Sequence, residues 1–373
     1  MKRRELLTAS LGLPWLGLTA ASAWAQDNPP PAFDPSLAQT DPAQAAQAWI
    51  DASQPEGLAA LNKVCIAQFR VMFATRATAS ASASGGFGSG PGSANMHGSY
   101  TLAGVDDALM QSITDTAYQR LTASLQARGL TVVPFDALPA AAVERFKKDA
   151  VAAPAEIKRG SGKGQGKTHK LFSAQGLPLY FSTADPLRSL MGFGVSMSGL
   201  GWDALDYVES GVSGPEQLGL LKVTLVMDFI ETDASGGFFA RTASVDGKPG
   251  IKLTTESNLR AMVPQLLSQK PKPDGSLLWT TASYTFDKMP TLALKQTLQP
   301  ANSGLLGVND VTDATVAGVQ TALAIVGFLG GMGGGRKDKS YEVKVDPAQY
   351  QASAQATMGA VLDTWARQIG PGN

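Results

Sequence analysis

Between Cys65 and Ala83 the chain alternates with a period of two. The odd positions read Cys65, Ala67, Phe69, Val71, Phe73, Thr75, Ala77, Ala79, Ala81 and Ala83, while Gln68, Arg70, Arg76, Thr78, Ser80, Ser82 and Ser84 fill most of the even ones. Successive side chains of a strand point to opposite faces, so this pattern describes one long strand with a single buried face. No other stretch constrains the fold as much. Gly85 to Gly92 reads as a flexible loop, and Met96 to Leu102 as the returning strand of a hairpin.

Around this hairpin the signals alternate between helix and strand. Thr40 or Asp41 followed by Pro42 starts a short helix that runs to about Ser53. Asp106 caps a longer one, with Leu109, Ile113, Ala117, Leu121 and Leu125 four apart on one face and Gly129 as its stop. A strand from Leu130 to Pro134 and a helix from Ala140 to Lys148, with Val143 and Phe146 inward, follow. Residues 159–168 are rich in Gly and Lys and read as a loop. Strands are expected at Leu177–Thr183, Leu218–Glu231, Gly237–Thr242, Ile251–Ser257, Leu277–Phe286, Thr291–Leu298 and Tyr341–Val345. A short helix is expected from Leu259 to Ser268, and another along Val316, Val319, Leu323, Val326 and Leu329 within the uncharged run Ala314–Gly335. Asp346-Pro347 opens a final helix that turns Tyr350, Ala354, Met358, Val361, Leu362 and Trp365 inward. The fold class is therefore α+β: a mixed sheet with packed helices, a strand-rich second half and a glycine-rich hairpin insertion. No fixed-period repeat is present.

The N-terminus reads as targeting. Lys2, Arg3 and Arg4 precede an apolar stretch from Leu6 to Ala23, and Ala23-Trp24-Ala25 fits a small-x-small cleavage site. The expected order is a signal peptide at 1–25, a flexible leader at 26–40, an α/β domain with the hairpin at 41–158, and a strand-rich half at 159–373 closed by the C-terminal helix. The last two also read as one continuous domain. The arginine pair before Glu5, Leu6 and Leu7 is similar to a twin-arginine export signal. The expected location is the periplasm. Removing Lys2, Arg3, Arg4 and Glu5 from 31 basic and 31 acidic residues leaves 28 and 30, a balance with no footprint for nucleic acid. Cys65 is the single cysteine, so no internal disulfide forms, and its apolar setting reads as an inert buried thiol. His97 and His169 have no His or Cys beside them, which argues against zinc.

Four stretches invite a chemical reading. Gly160 to Thr168 imitates a phosphate loop, but Ser161 stands where that pattern needs Gly, so a solvated basic loop is the better account. Gly192 to Gly199 imitates a nucleophile elbow without its Gly-x-Ser-x-Gly core. A serine triad would have to draw on His97 or His169, both placed in loops. Asp106-Asp107 fits helix capping; Asp203, Asp206 and Glu209 near Trp202 fit a solvated helix face before a sugar site, and Asp310 with Asp313 forms a third acidic cluster. The Ala/Ser hairpin at 71–100 could line a pore, but its outer face offers mainly alanine where membrane strands carry bulky groups.

The block from Lys63 to Phe135 resembles, in its order of strand, helix and Gly129-Leu130-Thr131-Val132-Val133 strand, a group of bacterial envelope α/β domains that includes CsgG-like secretion proteins and the N-terminal domain of TolB. Val223–Phe229 and Val345-Asp346-Pro347 with its helix also fall where that fold would place them. The resemblance implies an envelope α/β fold. Together these readings give a non-catalytic periplasmic protein that binds an envelope partner or copies of itself. No catalytic, cofactor-binding or metal-binding residue is assigned, and membrane contact is not favoured. A periplasmic hydrolase and an outer-membrane-associated pore are the alternatives.

Overall fold

The computed structural model describes residues 33–84, 94–161, 164–190, 204–237, 243–281, 289–312, 319–320, 326–330 and 335–371. The expected signal peptide, the Gly85–Gly92 loop, the Gly192–Gly199 stretch, Asp203 and Asp313 lie outside them. The described residues form an α+β fold with seven α-helices, one mixed sheet of 14 strands and a separate two-stranded hairpin.

Phe33 is buried and bridges Pro300, so the later part of the expected leader packs on the body. Helix α1 (Leu37–Thr40) follows. Helix α2 (Pro42–Trp49) is capped by Asp41, whose carboxylate accepts from the Gln44 N–H at 3.0 Å. It stops at Trp49 and not at Ser53, because Ile50–Ser53 is recruited as strand β1 by a strand far along the chain. After α3 (Pro55–Ala59) come β2 (Lys63–Ala83) and β3 (Ala94–Ala103), the hairpin expected from the period-two pattern. Helix α4 (Asp107–Ala127) buries Ile113, Ala117, Leu121 and Leu125, and Asp106 caps it by accepting from the Leu109 N–H at 2.8 Å. Gly129 then turns the chain with φ +81°, a conformation that costs glycine little.

Strand β4 (Thr131–Val132) and helix α5 (Ala140–Lys148) follow, with Val143 and Phe146 buried. Residues 159–161 and 165–168 correct the loop expectation. They belong to β5 (Ala155–Ser161) and β6 (Gln165–Ser173), paired antiparallel with Gly160 opposite Gly166. The two glycines and the polar side chains imitate a loop, yet the ladder with β2 fixes β6 as a strand.

Next are α6 (Leu205–Glu216), β7 (Gly219–Ser235), β8 (Ala243–Leu253) and β9 (Asn258–Met262). A helix from Leu259 to Ser268 does not form: β9 is followed by a 3-10 turn at Pro264–Leu266 and by β10 (Leu267–Pro271). Pro264 interrupts the apolar spacing that looked helical. Strands β11 (Leu277–Thr281), β12 (Thr291–Leu294), β13 (Leu305–Asp310), β14 (Val319–Gln320), β15 (Val326–Gly330) and β16 (Gly335–Val345) complete the sheets, and α7 (Pro347–Arg367) ends the chain as expected. The helix expected through Val319, Val326 and Leu329 is replaced by β14 and β15, which bond to β13 and β8. Short apolar runs fit either period, and a free strand edge decides between them.

The sheet runs β1-β12-β9-β7-β2-β3-β16-β13-β14, with β4 and β6 also on β2, β5 on β6, β8 on β7 and β15 on β8. Strands from both sides of residue 158 therefore alternate in one sheet. β2 is its axis. It runs parallel to β7 from Val64 opposite Gly219 to Phe73 opposite Met227, then pairs antiparallel with β3 from Arg76 to Ala83. On its other edge it holds β6.

One face of β2 buries Cys65, Phe69, Val71 and Phe73 in the main core. Helices α4 and α7 are tied together by Arg120, which donates from Nε to Asp363 at 2.9 Å, and by Ser124, which donates to the same carboxylate at 2.6 Å. The expected single buried face holds at Ala77, Ala79 and Ala83 but not from Val64 to Ala74, where every residue is buried. There Met72 joins a second cluster with Ile157, Leu171, Leu179, Phe181, Leu187 and Val226.

Candidate functional site

The parallel ladder of β2 and β7 ends at Phe73 opposite Met227, and β7 continues beside β8 instead. A register shift between Ala74 and Arg76 in the β2–β6 ladder, and another between Asp228 and Ile230 in the β7–β8 ladder, mark the place where they part. β6 stays with β2 while β7 leaves. Bulges of this kind re-aim strands, often beside functional sites. The result is a cleft of about 210 Å³ whose lining includes Arg159, Lys167, His169, Asp228, Thr232 and Glu256.

Side chains bridge the cleft where backbone pairing has stopped. Lys167 on β6 forms an ion pair with Asp228 on β7, and Arg159 on β5 pairs with Glu256 beyond β8. Gln165 donates from Nε2 to the Thr232 carbonyl at 3.1 Å. The four charges cancel in pairs. Two polar atoms remain without a hydrogen-bond partner: His169 Nδ1 and Asp228 Oδ1. Both are on deeply buried side chains, 2% exposed for His169 and 7% for Asp228. A buried polar group left unpaired costs about 1–3 kcal/mol, and two of the side chains that line the cleft each keep one such atom out of solvent. Burial lowers the His169 pKa to about 4, against the pull of the Asp228 carboxylate, so the imidazole is neutral at ordinary pH.

A second polar row lies across three adjacent strands. Ser80 on β2 is opposite His97 on β3, and His97 is opposite Asp338 on β16. Directly opposed residues share a face. The Ser80 hydroxyl is 2.7 Å from His97 Nδ1, and all three residues line an open cavity of about 720 Å³ with Asn95, Gly164 and Gly236. His97 and His169, expected in loops, are thus both strand residues, and they occupy different cavities.

The acidic residues Asp206 and Glu209 correct the expectation of a solvated helix face: both are fully buried. Helix α6 turns them onto the polar face of β2, β7 and β9. Asp206 accepts from the Thr183 and Ala184 N–H groups at 2.6 and 3.3 Å. Glu209 accepts from Lys222 at 2.7 Å and from the Tyr180 hydroxyl at 3.1 Å. Beside them Arg70 meets Asp185 at 2.6 Å and donates from Nε to Thr224 at 2.8 Å. Burial raises Glu209 against the opposing pull of Lys222; burial also acts to raise Asp185, but the Arg70 guanidinium brings it below its usual value. Every member named here has a partner inside the protein, so this network is architecture. Asp106 caps α4, Asp107 meets Lys170 at 2.6 Å, and Asp310 meets Lys339 at 2.8 Å. Cys65 is buried, and that burial pushes its thiol up to about 12.

Asp228 was missed in the sequence, although a signal was there: it is the lone carboxylate inside the apolar run Leu225–Ile230. Lys167 and Arg159 were read as solvated. Among the described residues no group of three or more His, Cys, Asp or Glu is placed to hold a metal ion, and no helix is long and apolar enough to cross a membrane. Comparison with family models, curated proteins and solved structures finds no match to this chain.

Proposed function

We propose that this chain is an exported envelope protein that binds a small polar ligand in the cleft between β6 and β7 and performs no chemistry on it. The observation that carries the reading is the cleft itself, lined by the mostly buried side chains of His169 and Asp228 and by two internally paired cations, Lys167 and Arg159. Among the described residues the charged groups of the cleft are already engaged with one another. Its lysine and arginine are held by carboxylates, and its histidine is a poor base because burial keeps its pKa near 4. The export signal at Lys2 to Ala25 supports a periplasmic location. The test is a thermal-shift screen of the full chain against small polar molecules, repeated on Asp228→Asn. A ligand present at 100 times its Kd adds about 2.7 kcal/mol to the stability of the native state. A ligand whose shift disappears in the variant is the expected result; no shift from any class of small molecule would remove the reading.

A hydrolase remains the second reading because of one contact, the 2.7 Å approach of Ser80 to His97 in a row that continues to Asp338. A fluorophosphonate probe tests it. Labelling of Ser80 that is lost in His97→Ala would favour this reading over the first.

A further inference from the structure

β7 changes sides on β2, and the crossing leaves a strand edge without a neighbour. Arg70 is opposite Ser173 of β6 and Thr224 of β7, so those two strands hold opposite edges of β2. Thr78 is opposite Gly166 of β6 and Ser99 of β3, so β3 takes over the edge that β7 has left. Ala83 is opposite Ala94 of β3 and bridges Gly237, which puts the end of β7 on the edge that β6 occupies lower down. Between Met227 and Gly237 the strand therefore passes over the face of β2, where Ala77 and Ala79 are fully buried and their small side chains let a second layer approach closely. β8 travels with it: a Cβ on Gly247 would lie 2.6 Å from the Tyr100 ring, so β8 rests directly on β3.

From Asp228 to Ala234, β7 pairs with β8 alone. The Thr232 carbonyl accepts from Gln165 Nε2 at 3.1 Å, and the Ala234 N–H donates to Asp233 Oδ1 at 2.8 Å. Residues two apart on a strand turn their peptide groups to the same side, so both bonds lie on the edge that β8 does not use. A side-chain amide and a side-chain carboxylate thus stand where the N–H and C=O of a neighbouring strand would be. Cavities flank this tie: Gln165 and Thr232 line the one of about 210 Å³, and Gly164, Ala234 and Gly236 line the one of about 720 Å³. The charge at this edge is one-sided. Asp233 is directly opposite Asp246 on β8, and among the described residues neither forms an ion pair. Like charges in directly opposed positions destabilise a sheet, and a cation on the free side of Asp233 relieves them.

We infer that the edge of β7 from Asp228 to Ala234 takes an extended, lysine- or arginine-bearing segment of another protein. The segment adds to the layer as a strand beside β7, displaces Gln165 from Thr232 and sets its cation beside Asp233. A strand backbone supplies both groups now imitated by side chains, which is why an exposed edge is a template for another chain. This goes beyond the small-ligand reading and does not depend on it.

The experiment titrates the full chain with a fluorescent heptapeptide of alternating Thr and Val carrying one central Lys, read by anisotropy. Two control peptides replace that Lys by Glu or methylate the backbone nitrogens. The expected result is binding of the Lys peptide, about tenfold weaker binding of the Glu peptide, and none of the methylated one. Gln165→Ala removes the imitation and should tighten binding about fivefold, while Asp233→Asn should abolish the preference for Lys. Ala234→Pro removes an N–H that bonds to the Asp233 side chain and not to β8, a place where proline is tolerated. It should abolish binding at an unchanged melting temperature. Equal binding of the methylated peptide, or binding that survives Ala234→Pro, overturns strand addition. Equal binding of the Lys and Glu peptides overturns the basic partner. No binding of any peptide overturns the proposal, as does light scattering that shows a dimer broken by Ala234→Pro, since the edge then belongs to a second copy.

Discussion

His169 is neutral because it is buried, and that has a cost which depends on pH. Its folded pKa is depressed from 6.5 to about 4. The unfolded chain therefore takes up a proton at pH 6.5 that the native state refuses until about 4, and stability falls as the pH drops through that window. The depression corresponds to about 3 kcal/mol at most. His169→Asn, which never charges, should lose much less of its stability between pH 7 and 4, as read from urea midpoints of the two proteins. If their slopes match, the burial of His169 is not what the structure shows. Arg70 and Asp185 make the opposite kind of pair, charged and 5% and 4% exposed. Arg70→Met leaves a buried carboxylate with its counter-charge gone and should cost about 3–5 kcal/mol, whereas the double variant with Asp185→Leu recovers most of it. At this scale the sequence was least readable. Residue types showed that Asp206 and Glu209 are polar, but not that the fold would bury them, since burial is set by partners 13 to 23 positions away.

Elements were readable where their signal is local. The caps of α2 and α4, the apolar stripe of α4, the C-terminal helix and the β2–β3 hairpin all depend on residues within a few positions of each other. Asp106→Ala should lower stability by about 1 kcal/mol, measurable by denaturant unfolding, because it removes the acceptor of the Leu109 N–H. Elements that depend on a remote partner were misread. Ile50–Ser53 looks like the end of a helix until β12 is beside it, and Gln165–Thr168 looks like a loop until β2 is. The joint between α6 and β11 is another such case. A Cβ on Gly214 would lie 2.4 Å from the Trp279 ring, so the helix sits on the indole face only because that side chain is missing. Gly214→Ala should destabilise the protein by about 1–3 kcal/mol through overpacking, even though alanine is the better helix former.

For the whole molecule, the decisive fact is that β2 collects partners from almost everywhere: β3 and β4 nearby, β6 and β7 from the second half of the chain. A fragment ending at residue 158 would leave β2 without β6 and β7, with its apolar faces open and both edges bare from Cys65 to Phe73. It should not fold alone, and far-ultraviolet circular dichroism of the isolated fragment checks this; a folded fragment would mean that the halves are independent. The same strand carries the one cysteine. Cys65 sits opposite Leu220 with its side chain closed off from solvent and its thiol held far from ionisation. No small fluctuation of a loop exposes it, so the sheet must come apart at its axis before a thiol reagent can react. At high reagent concentration the labelling rate then becomes independent of reagent and equals the rate at which the native protein opens. The chain thus carries its own stopwatch: a single colorimetric trace reports its unfolding, and whatever occupies the cleft should be seen to slow it.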